Sequence, residues 1–433
     1  MANSLHLNRR DILRIGAAAS AFAAIGGRGA FADERTLKFM TGNMAWCEAL
    51  QNIVPAAYQK DAGVGISVDQ NEYNALYTKA VVELSQGSNT YDLLNLDCMW
   101  IRQAVANDWV ACLEDMKAAD PSLPDIKYEN IIPAAFPYVT VGDKHYGLPM
   151  TCSMPVMVYR KDLLEKAGIE NPPSTWEEYL EAAKKMHSPE TAGACLLAGG
   201  IDSFGSGDFG SRMQSMVKLN PGDDGMVDPD GNPIFNTEGQ GEAALELLKE
   251  LAPYCPAGFE NFDYPDGTSV LQQGAAAMLV TWSDCVVGIE DGPHKGKFGY
   301  AVAPLGKFKQ SQVGGTQLVL NKKSANPVEA YKFLAWLTEG GYKYFREGKE
   351  TSLVFAEDVN DPAAIESIPM LSAFRAFTDS GLSSCAVMFY STKNPLEAQR
   401  VLYEELVAGL MGQKSSKDVM AAAQDRVAKV LKA

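Results

Sequence analysis

The chain has 433 residues, enough for two or three domains at about 150 residues each, and its 46% apolar and 21% charged content is that of an ordinary globular protein. It is acidic, with 54 Asp and Glu against 38 Lys and Arg and a net charge of −16. That balance repels phosphate backbones and anionic membrane surfaces, which excludes nucleic acid as an expected partner.

The N-terminus reads Asn8-Arg9-Arg10-Asp11-Ile12-Leu13-Arg14, then a weakly apolar Ala/Gly stretch, then Ala30-Phe31-Ala32. This resembles a bacterial twin-arginine signal peptide with a small-residue cleavage site. Only 13 uncharged residues separate Arg14 from Arg28, short of the about 20 that a spanning helix needs. The first cysteine is Cys47, so the sequence lacks the cysteine on which a lipoprotein anchor would be built. Residues 1–32 are read as a leader, and the remainder as a soluble protein exported to the periplasm.

Eight cysteines (Cys47, Cys98, Cys112, Cys152, Cys195, Cys255, Cys285 and Cys385) in an oxidising compartment would favour disulfides. Twin-arginine substrates fold in the reducing cytoplasm, however, so the fold is expected not to depend on bridges. Cys47 and Cys98, each just past a predicted strand, are the pair to watch. With no C-x-x-C, and with His145, His187 and His294 far apart, neither a zinc nor an iron–sulfur site is expected. No cofactor is expected either.

Leu37 to Thr41 alternates as a strand, Glu48 to Tyr58 has helical spacing, Val64 to Val68 is a second strand, Leu76 to Leu84 a second helix and Tyr91 to Asp97 a third strand. Strand, helix, strand, helix, strand implies a parallel α/β sheet, in which ligands sit beyond the carboxyl ends of the strands. A second unit begins at the turn Gly142 to Pro149 and enters the strand Val156 to Tyr159. Thr175-Trp176-Glu177-Glu178 after Pro172-Pro173 has capping-box spacing and opens a helix. Asp228-Pro229-Asp230-Gly231-Asn232-Pro233 reads as a hairpin turn, because its glycine falls at the wrong position for a calcium loop. Strands at Ala276 to Thr281, Tyr300 to Ala303 and Gln317 to Leu320 alternate with helices at Glu242 to Leu251, Pro327 to Leu337, Pro395 to Leu410 and Lys417 to Leu431.

Five segments in order carry a resemblance. They are Tyr146-Gly147-Leu148-Pro149 with Val158 to Leu163; Ala167-Gly168 to Glu178; Gln273 to Met278 leading to Trp282; Pro304-Leu305-Gly306 leading to Gly314-Gly315; and Ala330 to Leu337. In this order the chain resembles the extracellular solute-binding proteins of ABC importers, the family that includes maltose-binding protein. Arg160 departs from the asparagine common after that tyrosine.

The resemblance implies an α/β, two-lobed periplasmic binding protein (type II-like) with its ligand cleft between the lobes. It also implies crossings near Cys152, Val302 and Phe355. The lobes are then 33–152 plus 303–355 and 153–302 plus 356–433. The expected function is to deliver a carbohydrate or polyol to membrane ABC permease subunits, as a monomer and without catalysis. The same scaffold holding a phosphorylated polyol or a cationic amine is the alternative.

Sugar binding demands carboxylates and amides for the hydroxyls and an aromatic ring beneath the apolar face of the pyranose. Asn43 and Trp46, Asp97 and Trp100, and Trp282 and Asp284 each stand at a predicted strand end. For any one of these aromatics simple core packing is the competing explanation. Asp202 and Phe204, and Phe389-Tyr390 near the third crossing, are candidates from the second lobe. Ser153 sits at a crossing, and Gly315 would permit close backbone approach, or simply serve a turn. Gly205-Ser206-Gly207-Asp208-Phe209-Gly210 satisfies the dinucleotide pattern G-x-G-x-x-G, which leaves an exported nucleotide-dependent oxidoreductase as a further alternative, although the glycines do not directly follow a strand.

Overall fold

Strand β1 (Thr36–Gly42) begins with alternating Leu37 and Phe39 buried against exposed Thr36 and Lys38, then runs fully buried from Met40 to its end. The change of pattern reflects its place inside a sheet, with a strand paired along each of its edges. In this computed structural model, the described residues are 36–432 except 45, 46, 221, 222, 229, 391 and 393. The leader with Arg9 and Arg10, and Trp46, lie outside the described residues.

β1 is flanked in parallel by β2 (Gly65–Asn71) and β3 (Leu93–Asp97), with Phe39 opposite both Val68 and Leu93. The helices Val54–Ala62 and Tyr73–Ser85 make the crossovers expected from sequence. A small hairpin of β4 (Thr140–Val141) and β5 (Lys144–His145) precedes β6 (Leu148–Pro149). The sheet is completed by β11 (Thr316–Leu320), antiparallel to both β3 and β6, giving the order β2-β1-β3-β11-β6.

The second sheet has β7 (Pro155–Arg160) between β8 (Met278–Trp282) and β9 (Phe298–Val302), antiparallel to both. Alternation along β7 sends Val156 and Val158 into one hydrophobic core, with Leu279, and Met157 into another, with Met278 and Val280. β10 (Gln310–Val313) pairs in parallel with β12 (Ser383–Ala386). Its Gln310 and Gln312 side chains donate to the carbonyls of Gln214 and Ser206. The strand-helix reading of the sequence did not reveal these antiparallel pairings, since the paired strands are separated by more than a hundred residues.

The helix Trp176–Met186 starts where its capping box predicts: Thr175 Oγ1 accepts from Glu178 N at 3.2 Å, and Glu178 Oε2 accepts from Thr175 N at 3.3 Å. Asp228 closes its turn by accepting from the Asn232 N–H at 2.7 Å, beside the isolated antiparallel pairing of Val227 with Pro233. All eight cysteines are free thiols. No described helix is long and apolar enough to cross a membrane.

Candidate functional site

The carboxyl ends of the three parallel strands open onto one cavity. β1 is followed by Asn43 and Met44, β2 by Glu72 and Tyr73, and β3 by Asp97, Cys98 and Met99, all of them wall residues. The facing wall is built from Gly199 to Asp202, from Asp263-Tyr264 at the start of the helix Tyr264–Gln272, and from Trp282, Asp284 and Cys285 after β8. Gly314, Gly315 and Thr316 join the two walls. The volume is about 780 Å³, within the range of roughly 300–1,000 Å³ usual for small-molecule sites.

Neutral donors hold the carboxylates. Asp97 Oδ1 accepts from Met99 N at 3.0 Å and from Cys98 Sγ at 3.4 Å, while Tyr73 reaches the same carboxylate with its hydroxyl. Asp202 Oδ2 accepts from the Tyr264 hydroxyl at 2.6 Å. Asp284 Oδ1 accepts from Ser153 Oγ at 2.7 Å. Ser153 in turn belongs to a hydroxyl chain with Ser283 (3.2 Å) and Ser352 (2.7 Å), which ties three distant segments together behind Asp284.

Burial raises the pKa of all three acids. Burial chiefly, with Asp97, Asp263 and Asp284 as like charges nearby, pushes Asp202 up to about 7 against its bond from Tyr264. Asp284 rises to about 6 by burial, opposed by Ser153 and reinforced by Asp97. Asp97 is raised by burial and restrained by the Met99 N–H.

Of the residues singled out from sequence, Asn43, Asp97, Ser153, Asp202, Trp282, Asp284 and Gly315 line the cavity. Trp100, Phe204 and Tyr390 are not among its wall residues. Trp100 is buried behind Tyr73, with ring centroids 5.3 Å apart, and against Tyr77 at 5.0 Å. Phe204 is buried in the second core, edge-on to Tyr403. Tyr390 donates its hydroxyl to Pro137 O at 2.8 Å, and the Arg102 guanidinium covers its ring at 4.6 Å.

Sequence reasoning missed Tyr73 and Tyr264, which stand on the wall with Trp282. Tyr264 carried a signal in its helix start, where Asp263 and Asp266 form a capping box with Pro265 in the first turn.

Gly315 is required by the protein itself. Its φ is +148°, and a Cβ there would lie 2.2 Å from the Thr151 carbonyl oxygen. Gly315→Ala is therefore expected to destabilise the fold by about 3 kcal/mol, since neither the backbone angle nor the backbone contact can give way cheaply. Thermal unfolding followed by circular dichroism checks this; an unchanged midpoint refutes it.

The G-x-G-x-x-G segment is no phosphate loop. Gly205 to Gly210 lie inside a buried, π-type helical segment, Ser203–Gly210, where a Cβ on Gly210 would meet Met388 Sδ at 3.0 Å. Asp208 within it accepts from Leu197 N and pairs with buried Arg212 at 3.0 Å, whose guanidinium lies 4.3 Å over the Trp176 ring. Gly210 is there for close packing, and the burial of the whole segment within a helix removes the ground for a nucleotide-dependent oxidoreductase.

Residues 47–343 match the family model of the bacterial extracellular solute-binding proteins. The chain belongs to this family, whose members bind solutes and are not enzymes. A probable ABC transporter-binding protein of Deinococcus radiodurans is 27% identical over 267 residues, a match spanning 60% of this chain and 63% of the relative's length. Among solved structures, an ABC transporter solute-binding protein of Agrobacterium radiobacter K84 in complex with ribitol superposes with a TM-score of 0.79 at 24% identity, over 92% of this chain and 99% of that one. Maltose-bound MalE3 of T. maritima gives 0.77 at 22% identity, over 92% and 99%. The fold is thus the two-lobed α/β binding-protein fold of maltose-binding protein.

Proposed function

We propose that the protein is a periplasmic receptor that holds a carbohydrate or polyol in this cavity and hands it to the permease subunits of an ABC importer. The observation that supports this best is the wall itself: Trp282, Tyr73 and Tyr264 supply flat apolar faces, and Asp97, Asp202, Asp284 and Ser153 supply partners for hydroxyl groups. The ribitol and maltose of the two structural relatives accord with it.

The lobes are taken as 33–152 plus 303–355 and 153–302 plus 356–433. Pairing of β10 with β12 favours carrying the second crossing forward to Gly314, which lies opposite Ser153 at the first. Closure of such lobes on the ligand gives a permease a difference between loaded and empty receptor to read. The receptor acts as a monomer.

A thermal-shift screen of sugars and polyols, with amino acids and diamines that lack hydroxyl groups beside them, tests the reading. A ligand at a hundred times its Kd stabilises by about 2.7 kcal/mol, and a panel in which only compounds without hydroxyl groups shift the midpoint overturns it.

Export follows the twin-arginine route. N-terminal sequencing of the periplasmic protein is expected to begin at Asp33, and replacement of Arg9 and Arg10 by Lys is expected to abolish export. An intact Met1, or export indifferent to the arginines, contradicts this.

A further inference from the structure

We propose that the ligand carries a protonated amine alongside its hydroxyl groups, so that its class is an amino sugar or amino polyol; this rests on the receptor reading above. Glu72, Asp97, Asp202, Asp263, Asp284 and Asp291 all line the cavity, and no lysine, arginine or histidine does so among the described residues. The donors that meet Asp97, Asp202 and Asp284 are a backbone N–H, a thiol and hydroxyls, none of which neutralises a charge.

A neutral sugar would satisfy hydrogen bonds in this site yet leave like charges facing one another. A phosphate would add to them. An ammonium group placed among the carboxylates makes hydrogen bonds in which both partners are charged, and it offsets the like charges that a hydroxyl leaves in place. The rings of Trp282, Tyr73 and Tyr264 on the same walls favour a cation in addition.

A second feature points to a polar occupant. Ser206 lines the cavity at 1% exposure, and its Oγ has no hydrogen-bond partner. Buried hydroxyls are normally paired, so this one fits a ligand group. A bare metal ion is the poorer fit, because no three His, Cys, Asp or Glu side chains among the described residues are grouped to hold one. The upward pKa shifts of Asp202 and Asp284 agree, since both come from burial beside other carboxylates with no cation to oppose them.

Calorimetric titration of the purified protein with matched compounds tests the proposal. The pairs are D-glucose and D-glucosamine, D-glucitol and 1-amino-1-deoxy-D-glucitol, and ribitol and 1-amino-1-deoxyribitol, with D-glucitol 6-phosphate, choline and putrescine beside them. The expected result is binding of at least one hydroxylated amine, about tenfold or more tighter than its neutral mate. In Asp202→Asn and Asp284→Asn that advantage is expected to shrink toward unity while the neutral mate loses less, a pattern that mere misfolding would not give. The phosphate is expected not to bind.

A neutral member binding as tightly as its amine, tight binding of the phosphate, or silence from every amine overturns the proposal. The first of these leaves the carbohydrate receptor standing. Binding by choline or putrescine alone overturns the proposal and the carbohydrate reading together.

Discussion

Trp282→Ala is expected to weaken ligand binding by about 2 kcal/mol or more, close to thirtyfold in Kd. Trp282 closes β8 opposite Pro155 and is 7% exposed. It stands on the cavity wall between Asp284 and the Gly314 crossing, where a Cβ on the glycine would lie 3.6 Å from the indole. With so little of it exposed, the ring is already held by protein and offers its cavity-facing surface to a sugar at little further entropic cost.

Removing so large a side chain also leaves a void, and buried Trp→Ala changes cost about 3–5 kcal/mol of stability. Trp282→Phe, which keeps an aromatic face, separates the two effects. Affinity is expected to fall in the order wild type, Phe, Ala, with circular dichroism confirming the fold in each. Asp97→Ala should lose a comparable amount only where closure removes its partner from water. Unchanged affinity in a folded Trp282→Ala protein would return the indole to core packing.

The strand-end rule found the site and misjudged its lining, for a local reason. Applied at β1, β3 and β8 it led to Asn43, Asp97, Trp282 and Asp284, because strong apolar runs mark those ends. β2 is half-exposed throughout, its Ser67, Val68, Asp69 and Gln70 giving no apolar run. Sequence reading ends it at Val68, three residues short of Asn71, and begins the next helix at Leu76, so Tyr73, the first residue of the helix Tyr73–Ser85, falls in an unassigned connection instead of at a strand end. Trp100, one turn beyond Asp97, looked like the stacking aromatic and is the residue that backs Tyr73. Which of two neighbouring aromatics faces a cavity depends on helix phase at the strand end, and composition does not carry that. The helices Pro395–Leu410 and Ser416–Lys432 were legible almost to the residue, since their 3.6-residue periodicity is long and uninterrupted.

The stability of the unliganded protein is expected to fall as pH rises from about 4.5 to 8, with Glu350 the largest contributor. Glu350 is 2% exposed; its Oε1 accepts from Ala49 N at 3.1 Å, and its Oε2 has no partner. Burial, with Asp284 and Glu48 as negative neighbours, pushes its pKa from 4.5 up to about 8. A carboxyl whose native pKa exceeds its unfolded value keeps a proton that the unfolded chain has released. Between the two values the native state binds more protons, so its stability declines with pH and levels off above the native pKa. Asp202 and Asp284 act in the same direction up to about 7 and about 6.

Glu350→Gln removes the largest share. The amide oxygen still accepts from Ala49, and the burial of a charge is avoided. At pH 8 the variant is expected to be more stable than wild type by about 2 kcal/mol, part of the shift being relieved by relaxation, and at pH 4.5 the two should nearly coincide. Neighbouring Thr351 and Ser352 bond to Ser283 behind Asp284, so a loss of ligand affinity in the variant would reveal whether this segment also positions the site. Urea melts at pH 4.5, 6 and 8 decide the matter: parallel stability curves for the two proteins would mean that Glu350 titrates in its usual range, and the buried carboxyl would then have found a partner for its charge.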